Sequence, residues 1–257
     1  MLRVLLLAVL SSIIPPLSAE QVVRVGTGDW RPYVDQGRAD AGALARLVDA
    51  VFAEAGYRVE FSFYPWDRNV LMLQQGALDA IMPYSCTPAR QDYAACSEPL
   101  VSGEIVLFHR KDRTFDWESL QDLRGLRIAT TLGYSYGPQF DRAVQDGALQ
   151  IEQSSKEETA FRLLELGRVD LHPQDRAVGY ALLHSLFSPE QRLAITHHPR
   201  YLNTEPLRLL FRKDDPHARA LLQQFNARLA EFARRGELRR LQQALFSGNA
   251  DRWRPGR

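Results

Sequence analysis

Short apolar runs alternate with amphipathic stretches along almost the whole chain, and no other feature limits its possible folds so narrowly. Val22-Val23-Arg24-Val25 reads as a strand ended by Gly26-Thr27-Gly28. Ala43, Leu44, Leu47, Val48, Val51 and Phe52 recur at helical spacing, and Gly56 stops that helix. Val59, Phe61 and Phe63 alternate as a strand does, Val70 to Leu73 begins a short helix, and Asp79 to Met82 is a buried strand. Thr87-Pro88 reads as an N-cap followed by proline at the first helical position. The pattern then repeats, with strands at 105–108, 126–131, 169–171 and 207–211 and helices at 137–144, 157–166 and 176–187. A helix pair at 216–246 is broken at Gly236. Such alternation implies an α/β fold of mostly parallel sheets covered on both faces. Residues 247–257 are polar and without periodicity, and read as a loose tail.

The first nineteen residues carry an address. Arg3 gives a positive start, Val4 to Ile14 is apolar apart from Ser11 and Ser12, and Pro15-Pro16 breaks the run. Leu17-Ser18-Ala19 then offers a small residue for cleavage, the layout of a secretory signal peptide. The run is shorter than the ~20 residues a membrane span needs. The expectation is therefore an exported, periplasmic protein, soluble once cleaved near Ala19. The full chain has 32 basic and 31 acidic residues. That balance leaves no field with which to grip nucleic acid or an acidic membrane. Cys86 and Cys96 are an even pair in an exported chain, which favours a disulfide over two free thiols. They are too few for a structural zinc site.

Ligands of open α/β sheets bind beyond the carboxyl ends of strands, so a binding site is expected in the segments that follow strands. In Ser85-Cys86-Thr87-Pro88-Ala89-Arg90 a helix start, two hydroxyls and a guanidinium fork could clamp a carboxylate. A capped helix with Arg90 in water explains the same residues. Asp175, after a strand and before a helix, could hold an ammonium group or simply cap the helix. Trp30, Tyr33, Trp66, Tyr134 and Tyr136 could wall a pocket or fill a core. Gly133-Tyr134-Ser135-Tyr136-Gly137 fits the G-x-S-x-G of serine hydrolases, with Asp170 or Asp175 and then His197 or His198 following in that order. The match is short and lacks an oxyanion segment before it. The His197-His198 pair lacks the spacing of a helical metal-ligand pair and reads as a solvated loop.

Taken together, these segments resemble the bacterial extracellular solute-binding proteins of family 3, the amino-acid-binding receptors of ABC transporters. The resemblance is carried by Val23-Arg24-Val25-Gly26-Thr27 with Asp29-Trp30-Arg31-Pro32-Tyr33, by Tyr64-Pro65-Trp66-Asp67, and by Gly76-Ala77-Leu78-Asp79-Ala80-Ile81. Thr87-Pro88-Ala89-Arg90, Ser97-Glu98-Pro99-Leu100, Leu132-Gly133-Tyr134-Ser135, Gly167-Arg168-Val169-Asp170 and Phe211 to Pro216 continue it in order. It implies a type II periplasmic-binding fold. Lobe 1 would comprise residues 20–101 and 207–247, lobe 2 residues 106–197, and the hinges 102–105 and 198–206, with a tail at 248–257. It implies that Arg90 takes a ligand carboxylate, helped by Ser85, Thr87 and Ser135. Asp175 would take the ammonium, with Trp30, Trp66, Tyr84 and Tyr134 lining the pocket and Asp29 beside it. Pro83-Tyr84 departs from the small residues many relatives carry after this strand. The implied protein is a monomeric, non-enzymatic receptor with no cofactor that delivers a bulky, apolar or cationic amino-acid-like solute to an inner-membrane permease. The alternatives are a ligand sensor and a cyclohexadienyl dehydratase-like enzyme using Asp175 and His172, the latter expected to point into the sheet.

Overall fold

A computed structural model describes residues 21–256. The proposed signal peptide lies outside these residues. The first core begins with β1 (Gln21–Thr27), where the alternating apolar residues Val23 and Val25 are fully buried. α1 (Ala43–Ala53) turns Leu44, Leu47, Val48, Val51 and Phe52 onto that sheet. β2 (Tyr57–Phe63) pairs in parallel with one edge of β1. α2 (Trp66–Gln74) then leads to β3 (Ala80–Ser85), parallel to β1 on its other side. The short α3 (Pro88–Gln91) starts where Thr87 accepts the Arg90 backbone N–H and proline fills the first position, as its residues predict. β4 (Ala94–Cys96) follows, and Cys96 is disulfide-bonded to Cys86.

β5 (Val101–Arg110) carries the chain out of this core. Beyond it come β6 (Arg127–Thr131), α4 (Pro138–Gln145), β7 (Gln150–Ser154), α5 (Glu157–Glu165) and β8 (His172–Asp175). α6 (Arg176–Leu186) and α7 (Pro189–Leu193) complete the excursion, and β9 (Ile195–Arg212) brings the chain back. The strand order is β2-β1-β3-β9-β5-β8, with β4 also on β9 and a separate parallel pair β6-β7. Alternation along β5 builds the second lobe's two apolar layers. Val106 and Phe108 join Phe161 and Leu164 on one face, whereas Ile105 and Leu107 join Ile128, Phe140 and Leu171 on the other. α8 (Pro216–Arg234) and α9 (Glu237–Phe246), separated by Gly236 at φ +79°, then pack back on the first core. Among the described residues no helix is long and apolar enough to cross a membrane.

Four expectations are corrected. The sheet is not mostly parallel: β9 runs antiparallel to β3, β4 and β5, and β5 antiparallel to β8. A strand that leaves a core and its neighbour that returns must run in opposite directions. The strand placed at 169–171 lies at His172–Asp175. Pro173 is tolerated there because β8 is the last strand of its sheet, with β5 its one ladder partner among the described residues. The tail is not loose, since Ala250 and Trp253 are buried in the first core. The buried Arg46 finds acceptors there, donating to Ala250 O at 2.6 Å and Trp253 O at 3.1 Å. His197 and His198 lie in β9 rather than a solvated loop, bonded to Tyr180 Oη at 2.7 Å and Asp116 Oδ1 at 3.2 Å respectively.

Candidate functional site

The crossing strands β5 and β9 pair Val101 with Leu207, Gly103 with Glu205 and Ile105 with Asn203. Side chains two apart on a strand share a face. Gly103, Ile105, Glu205 and Leu207 accordingly form the floor of a cleft enclosing about 630 Å³, its open mouth included. Trp30, Trp66, Tyr84, Ser85 and Arg90 line it from the first lobe's elements, and Tyr134, Ser135, Gln174 and Asp175 from the second's.

The aromatic wall is a connected series. Tyr33 stacks on Trp30 with centroids 4.8 Å apart, Trp30 meets Trp66 edge-on at 6.4 Å, and Trp66 meets Tyr84 edge-on at 5.5 Å. Tyr84 Oη donates to Trp66 O at 3.0 Å, which fixes the ring as part of the wall. At one end the Arg90 guanidinium lies 5.1 Å from the Tyr84 ring centroid. Its Nη1 donates to Ser85 O at 3.0 Å and also to Ser85 Oγ. Arg90 forms no ion pair among the described residues, so a cation with donors to spare sits half-buried at the wall.

Asp175 is fully buried at the N-cap of α6. Its Oδ1 accepts the Ala177 and Val178 N–H groups at 2.9 and 3.1 Å. Its Oδ2 accepts Tyr33 O–H at 3.0 Å and Glu104 N–H at 3.1 Å. Burial outweighs these bonds and pushes the carboxyl up to about 6. Ser135 Oγ donates to Asp141, not to a histidine, and His197 and His198 are engaged elsewhere, so the G-x-S-x-G match assembles no hydrolase triad. Two residues expected at the site do not line the cleft. Asp29 is exposed, paired with Arg31 at 3.3 Å and accepting the Gln36 N–H. Thr87 instead caps α3.

Residues of this cleft and its wall that the sequence does not single out include Glu205, Gln174, Gly103 and Glu157. Glu205 and Gln174 line it directly, and Gly103 is the bare position that lets Asp175 approach, since a Cβ there would lie 2.7 Å from Asp175 Oδ2. Glu157 stands behind the wall. Its Oε1 accepts Trp30 Nε1–H at 3.1 Å, Tyr134 O–H at 2.8 Å and Gln174 Nε2–H at 2.7 Å. One carboxylate thus orients side chains from both sides of the cleft. An acid in the first turn of a helix is ordinary complement to its dipole, so Glu157 carried no signal. The alternation of residues 103 and 105 and of 205 and 207 could have revealed the floor.

His172, expected to point into the sheet, does so. It is fully buried, donates Nδ1–H to Ala129 O at 3.0 Å and packs edge-on against Phe161. Burial pushes the imidazole down to about 4 from 6.5. The unfolded chain therefore binds a proton between those values that the fold refuses. Stability held above pH 6.5 is lost as pH falls toward 4. Between pH 7 and 5 this amounts to about 2 kcal/mol. Urea unfolding at both pH values should show wild type losing that much more than His172→Gln. An equal response in both would contradict the neutral buried ring.

The family model for bacterial extracellular solute-binding proteins, family 3, matches residues 23–248. The chain belongs to that family. No curated protein matches it. Among solved structures, a histidine kinase sensor domain with similarity to periplasmic binding proteins is 21% identical with TM-score 0.73, covering 91% of this chain and 96% of its own. A mutant of ArgBP from T. maritima is 21% identical with TM-score 0.70, covering 88% and 95%. The ancestral amino acid-binding protein AncCDT-1, a precursor of cyclohexadienyl dehydratase, is 25% identical with TM-score 0.69, again covering 88% and 95%. The two-lobed fold implied by the resemblance is therefore established for this solute-binding protein.

Proposed function

We propose that this solute-binding protein is a periplasmic receptor that captures an α-amino-acid-like solute between its lobes and delivers it to an ABC permease. The observation that carries the reading is Arg90: a half-buried guanidinium without an ion-pair partner among the described residues, on the wall of an aromatic cleft. Such a fork matches a carboxylate bidentately. Ser85 and Ser135 stand on the same cleft to extend that clamp. Trp30, Trp66 and Tyr84 suit a bulky apolar or cationic side chain better than a small acidic one. Neighbours named as arginine-binding and as the substrate-binding protein of an amino acid ABC transporter are consistent with this class. Lobe closure would act through the crossing segments 102–105 and 198–206. Binding is favoured over turnover because the acid–base pair considered for a dehydratase is split. His172 donates to Ala129 O and does not line the cleft with Asp175.

A thermal-shift screen of the mature chain against α-amino acids, their decarboxylated amines and aromatic acids tests the reading. At a hundredfold excess over Kd a ligand stabilises by about 2.7 kcal/mol. That raises Tm by roughly 5–10 °C for a chain of this size. The expected result is a shift with an amino acid and none with its amine. No shift with any α-amino acid, or equal shifts with amine and amino acid, would overturn it, and turnover of arogenate or prephenate would replace it with the enzyme.

A further inference from the structure

Two acids line the cleft, and they differ in what they have left to offer. Asp175 receives four protein donors, two on each oxygen. A carboxylate has about four acceptor sites, so its capacity is filled by the fold itself. Glu205 is half-buried on β9, and only its Oε2 is engaged, accepting Asn203 Nδ2–H at 3.0 Å. Its Oε1 has no hydrogen-bond partner among the described residues. The pairing of Glu205 with Gly103 puts its side chain on the cleft face, where Gly103 supplies none to cover it. Arg90 lines the same cleft, yet it and Glu205 form no ion pair among the described residues. Opposite charges facing one cleft without joining are complementary to a zwitterion placed between them.

We propose that Glu205 takes the ammonium group of the bound solute while Arg90 takes its carboxylate. Asp175 is then the cap and brace of the floor rather than the ammonium contact. This inference rests on the amino-acid reading above and deepens it. The solute must carry a cationic nitrogen close to its carboxylate, and it is gripped from a crossing strand, so binding bears directly on the segment between the lobes.

Calorimetry on the mature chain with matched probes tests this. L-arginine is compared with 5-guanidinopentanoate, and L-phenylalanine with 3-phenylpropanoate, each second compound lacking only the α-ammonium. Wild type is expected to prefer the amino acid of the pair it binds by about 30-fold or more. Glu205→Gln is expected to lose that preference by weakening the amino acid while leaving the deaminated compound within threefold. Glu205→Asp, which keeps the charge, is expected to restore part of the preference. A Glu205→Gln variant that binds the amino acid within threefold of wild type overturns the proposal, as does equal loss of both compounds. Wild type that binds both compounds equally well overturns it while leaving the carboxylate clamp standing. Wild type that binds no probe of either pair overturns the amino-acid reading itself, and this inference with it.

Discussion

Replacing Arg90 with alanine is expected to weaken solute binding by about 30-fold to several thousand-fold, the equivalent of about 2–5 kcal/mol. The size follows from what the ligand would leave behind. A carboxylate brought into a cleft walled by Trp30, Trp66 and Tyr84 gives up water. Without Arg90 it regains only the hydroxyls of Ser85 and Ser135, and Ser135 is already donating to Asp141. The guanidinium costs the fold little to keep in place. It is steadied by Ser85 O and by the Tyr84 face, and it has no ion pair among the described residues to break before a ligand binds. Arg90→Lys keeps the charge but loses the planar fork, and is expected to fall between wild type and Arg90→Ala. Titration calorimetry with the solute identified by thermal shift measures both. A loss below threefold in Arg90→Ala, with Tm unchanged, would mean that no carboxylate is held there.

How far such a site can be read before folding depends on whether its parts are local. The N-cap Thr87, the proline after it and Arg90 three residues on lie within one turn, and their arrangement around α3 followed from their order. The same holds for α1, with its buried stripe, and for the break between α8 and α9 at Gly236. The crossing strands were legible only in part. β9 runs through both lobes and the cleft, so its burial changes environment along its length and no single period survives from Ile195 to Arg212. An acid such as Glu205 within it looks like any solvent-facing strand residue until β5 is laid beside it. Glu157 was invisible for a different reason. Its three donors come from Trp30, Tyr134 and Gln174, the first 127 residues away. Only topology brings them to one oxygen. Asp175 shows the limit of motif reasoning, because an acid between strand and helix can cap or bind, and the residues that fill its oxygens include Tyr33, 142 positions distant.

That filling leads to the largest expected effect on stability. Asp175→Ala would leave the Ala177, Val178 and Glu104 N–H groups and the Tyr33 hydroxyl without their acceptor at a fully buried position. Buried donors left unpaired cost about 1–3 kcal/mol each, and relief of the carboxylate's own desolvation offsets part of the sum. A net loss of about 3–5 kcal/mol is expected, or roughly 6–20 °C in Tm for a chain of this size. Asp175→Asn keeps one oxygen for the cap and should lose less. Its pH dependence carries a sign. Burial raises the folded carboxyl to about 6 from 3.8, so between those values the fold holds a proton that the unfolded chain has released. Wild-type stability therefore falls as pH rises through this window, by on the order of 3 kcal/mol in full. The asparagine variant has no such proton, so its deficit against wild type should shrink from pH 4 to pH 7. Urea unfolding of both proteins across that range measures it, and a deficit that stays constant or grows would show that Asp175 is charged throughout. The same series separates the two acids of the cleft. If Asp175 braces and Glu205 binds, substitution of the first lowers Tm with affinity following, through Tyr33 and the Trp30 ring stacked on it. Substitution of the second lowers affinity alone, because Glu205 accepts only one protein hydrogen bond among the described residues.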